Sequence, residues 1–163
     1  MKPDWSTFKL RIPINAHVEE IYDAWATASG IEKWFLLSAE YTTAEGPTRE
    51  KQDHVISGDT YLWKWFGYPG GTPESGKILE ANGRDRLRFT FTENCIVTVS
   101  VLNENDENII ELKQEQIQPD ESLGIYLGCS TGWIFYMTNL KSILEGGVDL
   151  RNKNENIANV INA

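Results

Sequence analysis

The chain has 163 residues, 40% of them apolar, with six Trp, six Tyr and six Phe, which suits one domain with its own core and leaves little room for two. Its 24 acidic against 15 basic residues give a net charge of −9 with no gathering of Lys or Arg, so phosphate backbones are repelled and nucleic acid is excluded as a partner. Two distant cysteines make no disulfide framework, no apolar run reaches the ~20 residues of a membrane span, and the first residues lack a signal peptide's pattern. The cytoplasm is the expected location.

Phe8, Leu10, Ile12 and Ile14 alternate with Thr7, Lys9, Arg11 and Pro13, the period of a half-buried strand that Pro13 confines to an edge. Asn15 offers an N-cap to a helix with Val18, Ile21, Tyr22 and Trp25 on one face. Ser29-Gly30 is expected to end it, and 31–35 to form a short second helix. Strands are expected over 36–43, over 54–65 with Tyr61, Trp63 and Trp65 on one face, and over 77–81, with a Gly/Pro-rich loop at 67–76. Asn82-Gly83 signals a hairpin into a strand carrying Leu87, Phe89 and Phe91. Cys95, Val97, Val99 and Val101 repeat the alternation, and after a polar turn at 103–108 Ile110 and Leu112 open a last strand ending near Pro119. From Leu123 the period is helical: Tyr126, Leu127, Trp133, Met137, Leu140 and Leu144 share a stripe that Gly146-Gly147 stops. Strands grouped between terminal helices predict an α+β fold, a curved antiparallel sheet of six to seven strands around a long C-terminal helix. The domain is expected to span 1–147, with 148–163 a tail, Asn-rich over 152–162, that packs on the domain surface or on a neighbouring chain and takes no part in a pocket.

The order of elements, with the phrase INAHVEEIYDAWATASGIEKWF at 14–35, GKILE at 76–80, LRFTF at 87–91, TGW at 131–133 and NLKSILEG at 139–146, resembles the START-like (SRPBCC, birch-pollen-allergen-like) superfamily. It is most similar to the branch named after the heat-shock-protein-90 ATPase activator homologues, over roughly residues 6–150. The resemblance implies a helix-grip fold. It does not choose among the lipid carriers, hormone receptors, cyclases and co-chaperone domains that share it. The eukaryotic co-chaperones carry a separate N-terminal domain, and a match that begins near Ser6 leaves no residues for it, so the co-chaperone role is not the expected one.

Gly71-Thr-Pro-Glu-Ser-Gly76-Lys77 matches the start of a phosphate-binding loop, but Ile78 replaces the Mg²⁺-holding hydroxyl and a strand pattern follows. A turn is the better reading. His17 and His54 have no ligand-spaced neighbours, and no nucleophile elbow accompanies them; no metal, no cofactor and no catalytic residue is expected. The aromatics carry the functional expectation. Trp25, Trp34, Trp63, Trp65, Phe89, Phe91, Tyr126, Trp133 and Met137 fall on inward faces, with Gln114 and Gln116 continuing the face of Ile110 and Leu112 so that one amide points inward, Gln114 being the one taken as a lining residue. Core packing explains any one of them; together they suit the lining of a small-ligand space. Gly124, Gly128 and Gly132 make a side-chain-free stripe on the last helix, fitting either close approach to the sheet or room for a ligand. The expectation is a binding protein for an apolar, amphipathic or lipid-like small molecule, without catalysis. The alternatives are a co-chaperone-like or stress-related interaction module and a cyclase- or hydrolase-like enzyme. A homodimer is compatible with each.

Overall fold

The computed structural model describes residues 1–67, 73–120, 123–157 and 160–161. Gly71 and Thr72, the first two residues of the phosphate-loop-like stretch, lie outside the described residues, as do the rest of 68–72 in the Gly/Pro-rich loop.

The seven alternating or apolar segments become strands β1 (Phe8–Pro13), β2 (Ser38–Thr42), β3 (Thr60–Lys64), β4 (Glu74–Ala81), β5 (Arg86–Phe91), β6 (Cys95–Glu104) and β7 (Glu107–Glu115). They pair in one antiparallel sheet of order β1-β7-β6-β5-β4-β3-β2. Pro13 lies on edge strand β1, where no donor is missed. Between Ile78 and Glu80 the β4–β5 register shifts by one residue, a bulge that bends the sheet. Asn105 and Asp106, both left-handed (φ 51° and 67°), make the tight turn between β6 and β7. Asn82 closes the β4–β5 hairpin, its side-chain oxygen accepting the N–H groups of Arg84, Asp85 and Arg86 at 3.0 Å.

Among the described residues, three helices complete the fold: α1 (Val18–Ala26), α2 (Ala28–Ile31) and α3 (Gly124–Leu144). The inward residues of the sheet, the buried face of α1 and the second half of α3 form one core. This is the helix-grip architecture expected from the order of elements.

Four local expectations are corrected. The first helix is capped at His17 rather than Asn15, because the Glu20 carboxylate accepts the His17 N–H at 3.1 Å. The second helix starts at Ala28, where the Thr27 hydroxyl accepts the Gly30 N–H at 2.9 Å. Gly30 therefore sits inside α2, and a Cβ there would lie 2.1 Å from the Asp23 carbonyl oxygen; its lack of a side chain lets α2 fold back against α1. Residues 54–59 are not strand. Asp59, 1% exposed, pairs with Arg49 and accepts the Ile56 N–H at 3.0 Å, which turns the chain just before β3. Leu127 is half exposed rather than in the stripe.

Beyond Gly147 the chain returns to the domain. Asn139, fully buried on α3, donates to the Trp34 carbonyl at 2.8 Å and accepts the Leu150 N–H at 2.7 Å. Arg151, 7% exposed, donates to the carbonyls of Leu36, Glu32 and Lys33 and to the Asp149 carboxylate. Arg151 and Lys153 also lie over the Phe66 ring at 5.3 and 5.4 Å. Burial would raise the Asp149 carboxyl, but hydrogen bonds from Arg151, Lys153 and Asn139 outweigh it and hold the group well below the usual carboxylate range. Arg151→Ala leaves those carbonyls and Asp149 short of donors, so it should cost about 2–4 kcal/mol in urea unfolding; an unchanged midpoint would show the clamp to be idle. Because the folded state holds the Asp149 proton more weakly than the unfolded chain, its contribution is complete above the ordinary value of 3.8 and lost as pH falls below it. Asp149→Asn should flatten that acid limb.

Candidate functional site

The concave face of the sheet carries Trp63 from β3, Phe89 from β5 and Gln114 from β7, all buried. Trp133 on α3 descends onto them. Its indole N–H donates to the Gln114 side-chain oxygen at 2.9 Å, satisfying a polar group inside an apolar space. Phe35, just beyond α2, stacks on Trp133 at 4.9 Å between centroids and on Trp34 at 5.2 Å. Trp25 from α1 meets Trp34 at 4.5 Å and Trp133 at 5.8 Å. These rings fill the space under the second half of α3.

Under the first half of α3 they do not. A Cβ added to Gly128 or Gly132 would meet nothing within 4 Å, so the glycines open space and do not serve close packing. The opening is a groove of about 190 Å³. Phe35, Trp65 and Phe91 form one wall, and Gly128, Cys129, Gly132, Trp133 and Tyr136 on α3 form the other. Trp65 lies 5.4 Å from Phe35 and 6.5 Å from Phe91, and Phe91 lies 5.1 Å from Trp133.

Thr92 stands at the rim and opens the β5–β6 hairpin, in which Thr92, Glu93 and Asn94 all have positive φ (22°, 54° and 63°). The Glu74 carboxylate at the start of β4 accepts the Thr92 N–H, and lies 3.3 Å from its hydroxyl. Burial pushes the Glu74 carboxyl up, against the lowering effect of those Thr92 donors. Behind the α3 wall, the Gln114 amide has the Cys95 and Cys129 thiols as neighbours, and burial pushes both thiols up. Raised thiols are poor nucleophiles at neutral pH. Among the described residues, no group of three His, Cys, Asp or Glu is placed to hold a metal. His54 pairs with Asp23 on the far side of α1.

Of the residues singled out from sequence, Trp65, Phe91 and Trp133 line the groove. Trp25, Trp34, Trp63, Phe89, Gln114 and Met137 are packed in the core beneath it. Tyr126 is elsewhere, edge-on to Trp5 at 5.0 Å and Phe8 at 5.4 Å. Phe35, Tyr136, Thr92 and Cys129 were not foreseen as lining residues. Tyr136 stands three positions after Trp133 and so shares its face, a signal present in the sequence. Phe35 ends a turn with no periodic face and carried none.

The family model described as Activator of Hsp90 ATPase homolog 1-like protein matches residues 15–145. The fold is similar to that of protein SSP2350 from Staphylococcus saprophyticus, with TM-score 0.70, 14% identity, and coverage of 89% of this chain and 96% of that one. It is similar also to the Aha1 dimer from Colwellia psychrerythraea, at TM-score 0.66 and 18% identity, covering 86% and 97%. DynU16, from the dynemicin biosynthetic locus, gives TM-score 0.70 at 17% identity, covering 93% of this chain but 51% of that one. None of the curated proteins matches this chain.

Phe89 and Phe91 separate core from wall. Phe89→Ala should cost about 3–5 kcal/mol, whereas Phe91→Ala at the open groove should cost roughly 1–2 kcal/mol, both read by chemical unfolding. Gly132→Ala should raise stability by up to about 1 kcal/mol, since a methyl fits and the helix gains. A loss on Gly132→Ala would mean the space is not open.

Proposed function

We propose that this chain, which belongs to the activator of Hsp90 ATPase homolog 1-like family, is a binding protein for a compact small molecule with an apolar body. The seat is the groove between the first half of α3 and the ends of β3 and β5. The observation that carries the reading is the pair Gly128 and Gly132, which leave an aromatic wall uncovered where helical side chains would otherwise lie. Each helical glycine costs about 1 kcal/mol relative to alanine, a persistent cost that an open ring-lined site explains. The groove's size, about 190 Å³, is below that of most drug-sized sites, so the guest has one or two rings or a short branched chain.

Binding without catalysis is favoured by the side chains around the groove. Its lining carries no carboxylate or imidazole, and its one thiol is raised by burial. A cytoplasmic setting fits the two free cysteines. No helix among the described residues is long and apolar enough to cross a membrane. A homodimer remains part of the proposal, with one groove per copy, and light scattering in solution decides it.

N-phenyl-1-naphthylamine, a neutral dye that brightens in apolar surroundings, tests the reading. The wild-type protein should enhance its emission saturably, and Gly132→Leu, which fills the groove, should weaken the interaction at least tenfold while the circular dichroism spectrum is unchanged. Equal enhancement by the wild type and Gly132→Leu would place the dye elsewhere and remove the support.

A further inference from the structure

The groove does not end at Phe91 and Thr92. Both residues also line a second hollow, of about 390 Å³, whose other walls include Glu74, Glu93 and Thr90. An aromatic recess and a hollow bearing two carboxylates thus adjoin at Phe91 and Thr92. We infer that the groove takes an organic cation, its apolar body against Trp65, Phe91 and Trp133 and its charged nitrogen towards Glu74 and Glu93. The inference rests on the groove being a binding site and adds the charge of the guest.

Three observations support the sign. Three rings gather around one space, with Phe91 5.1 Å from Trp133 and 6.5 Å from Trp65, and aromatic rings attract ammonium groups that have shed part of their hydration. Glu74 and Glu93 have no ion-pair partner among the described residues, which include every Lys and Arg of the chain. Among the described residues, the partly buried Glu74 carboxylate accepts hydrogen bonds from Thr92 alone, and a half-desolvated charge without a counter-charge is unfavourable. Third, burial raises the Cys129 thiol on the opposite wall, and the negative charge of Glu74 adds to that shift in the same direction. A cation bridging ring wall and rim would relieve the Glu74 burial and gain the aromatic attraction together. An anion would meet both with the wrong sign.

Benzyltrimethylammonium and its neutral carbon isostere neopentylbenzene have nearly the same shape and differ in charge; benzenesulfonate supplies the opposite sign. Each is titrated into ¹⁵N-labelled protein while the Trp65 and Trp133 indole N–H signals are followed. The cation should bind about tenfold tighter than the neutral isostere, equivalent to about 1.4 kcal/mol, and the sulfonate should bind weakest. Glu74→Gln should lower the cation's affinity about tenfold, and Glu93→Gln should lower it by a smaller factor. Should Glu74→Gln fail to fold, raising NaCl from 20 to 500 mM with the wild type serves instead, and should weaken the cation but not the neutral compound. Equal binding of cation and isostere, or preference for the sulfonate, overturns the inference and leaves the groove as a binding site. If none of the three shifts either indole, the binding reading fails and this inference with it.

Discussion

One indole sets the distance between helix and sheet. Trp133 must bury its ring between α3 and the strands and must also find an acceptor for its N–H, and it finds Gln114 on β7 at 2.9 Å. Gln114 occupies a position where the alternation of Ile110 and Leu112 would otherwise place an aliphatic side chain. Its side chain is fully buried, at 0% exposure; its oxygen satisfies the indole, whereas its Nε2 has no hydrogen-bond partner among the described residues. The Trp133–Gln114 pair fixes the thickness between helix and sheet at this point. In the second half of α3, Tyr136, Met137 and Leu140 fill that thickness. In the first half, Gly128 and Gly132 bring no side chains to fill it. The groove is the consequence of a helix held off by an indole and then left bare.

The far end of α3 needs a separate anchor, because a helix pinned at one point can pivot. Asn139 ties it to Trp34, and Arg151 ties the returning chain to the carbonyls left free beyond α2. Those carbonyls belong to the turn that follows α2, and a guanidinium takes them. Phe35 lies in the same short segment and stacks on Trp133. The clamp at 149–151 and the wall at Phe35 are therefore parts of one structure, although the residues are distant in sequence. Arg151 and Lys153 over Phe66 extend the same contact to the residue after Trp65.

What could be read from the chain alone follows from which forces are local. Strand alternation around Phe8, Phe89, Val97 and Leu112 reports burial on one face, and the sheet formed as the alternation demanded. The long helix and its stop at Gly146 were equally legible, since periodicity and a left-handed glycine are local signals. Features made by contact between distant segments were not. Residues 54–59 look strand-like until Asp59 pairs with Arg49, and Gly30 looks like a helix end until α2 is seen lying against Asp23. In the groove, Trp65, Phe91 and Trp133 followed from alternation and stripe. Phe35 depended on how a turn outside any repeat was aimed. Tyr126 shares the helical stripe with Trp133 but lies about two turns earlier, where the helix passes over β1 and meets Trp5 and Phe8 instead of the central strands.

Apart from Asn105 and Asp106 in the β6–β7 turn and Gln116 after β7, the departures from local preference gather at one end of α3. Gly128 and Gly132 weaken a helix, Leu123 enters that helix from a left-handed conformation, and Thr92, Glu93 and Asn94 are three successive non-glycine residues with positive φ. Each such residue is unfavourable by roughly 1 kcal/mol or more, and Glu74 adds a carboxylate without a counter-charge. The clamp end has the opposite character: the charges of Arg151 and Asp149 are paired, and Asn139 is bonded through both its nitrogen and its oxygen. Proteins hold unfavourable local choices where function requires them and settle the remainder of the fold around them. A ring-lined groove, a bare helix face and an unbalanced carboxylate meeting at one end of α3 form a pattern that core packing alone does not require. A guest that fills the groove and carries positive charge would cover the half-buried Trp65 and Phe91 rings and balance Glu74.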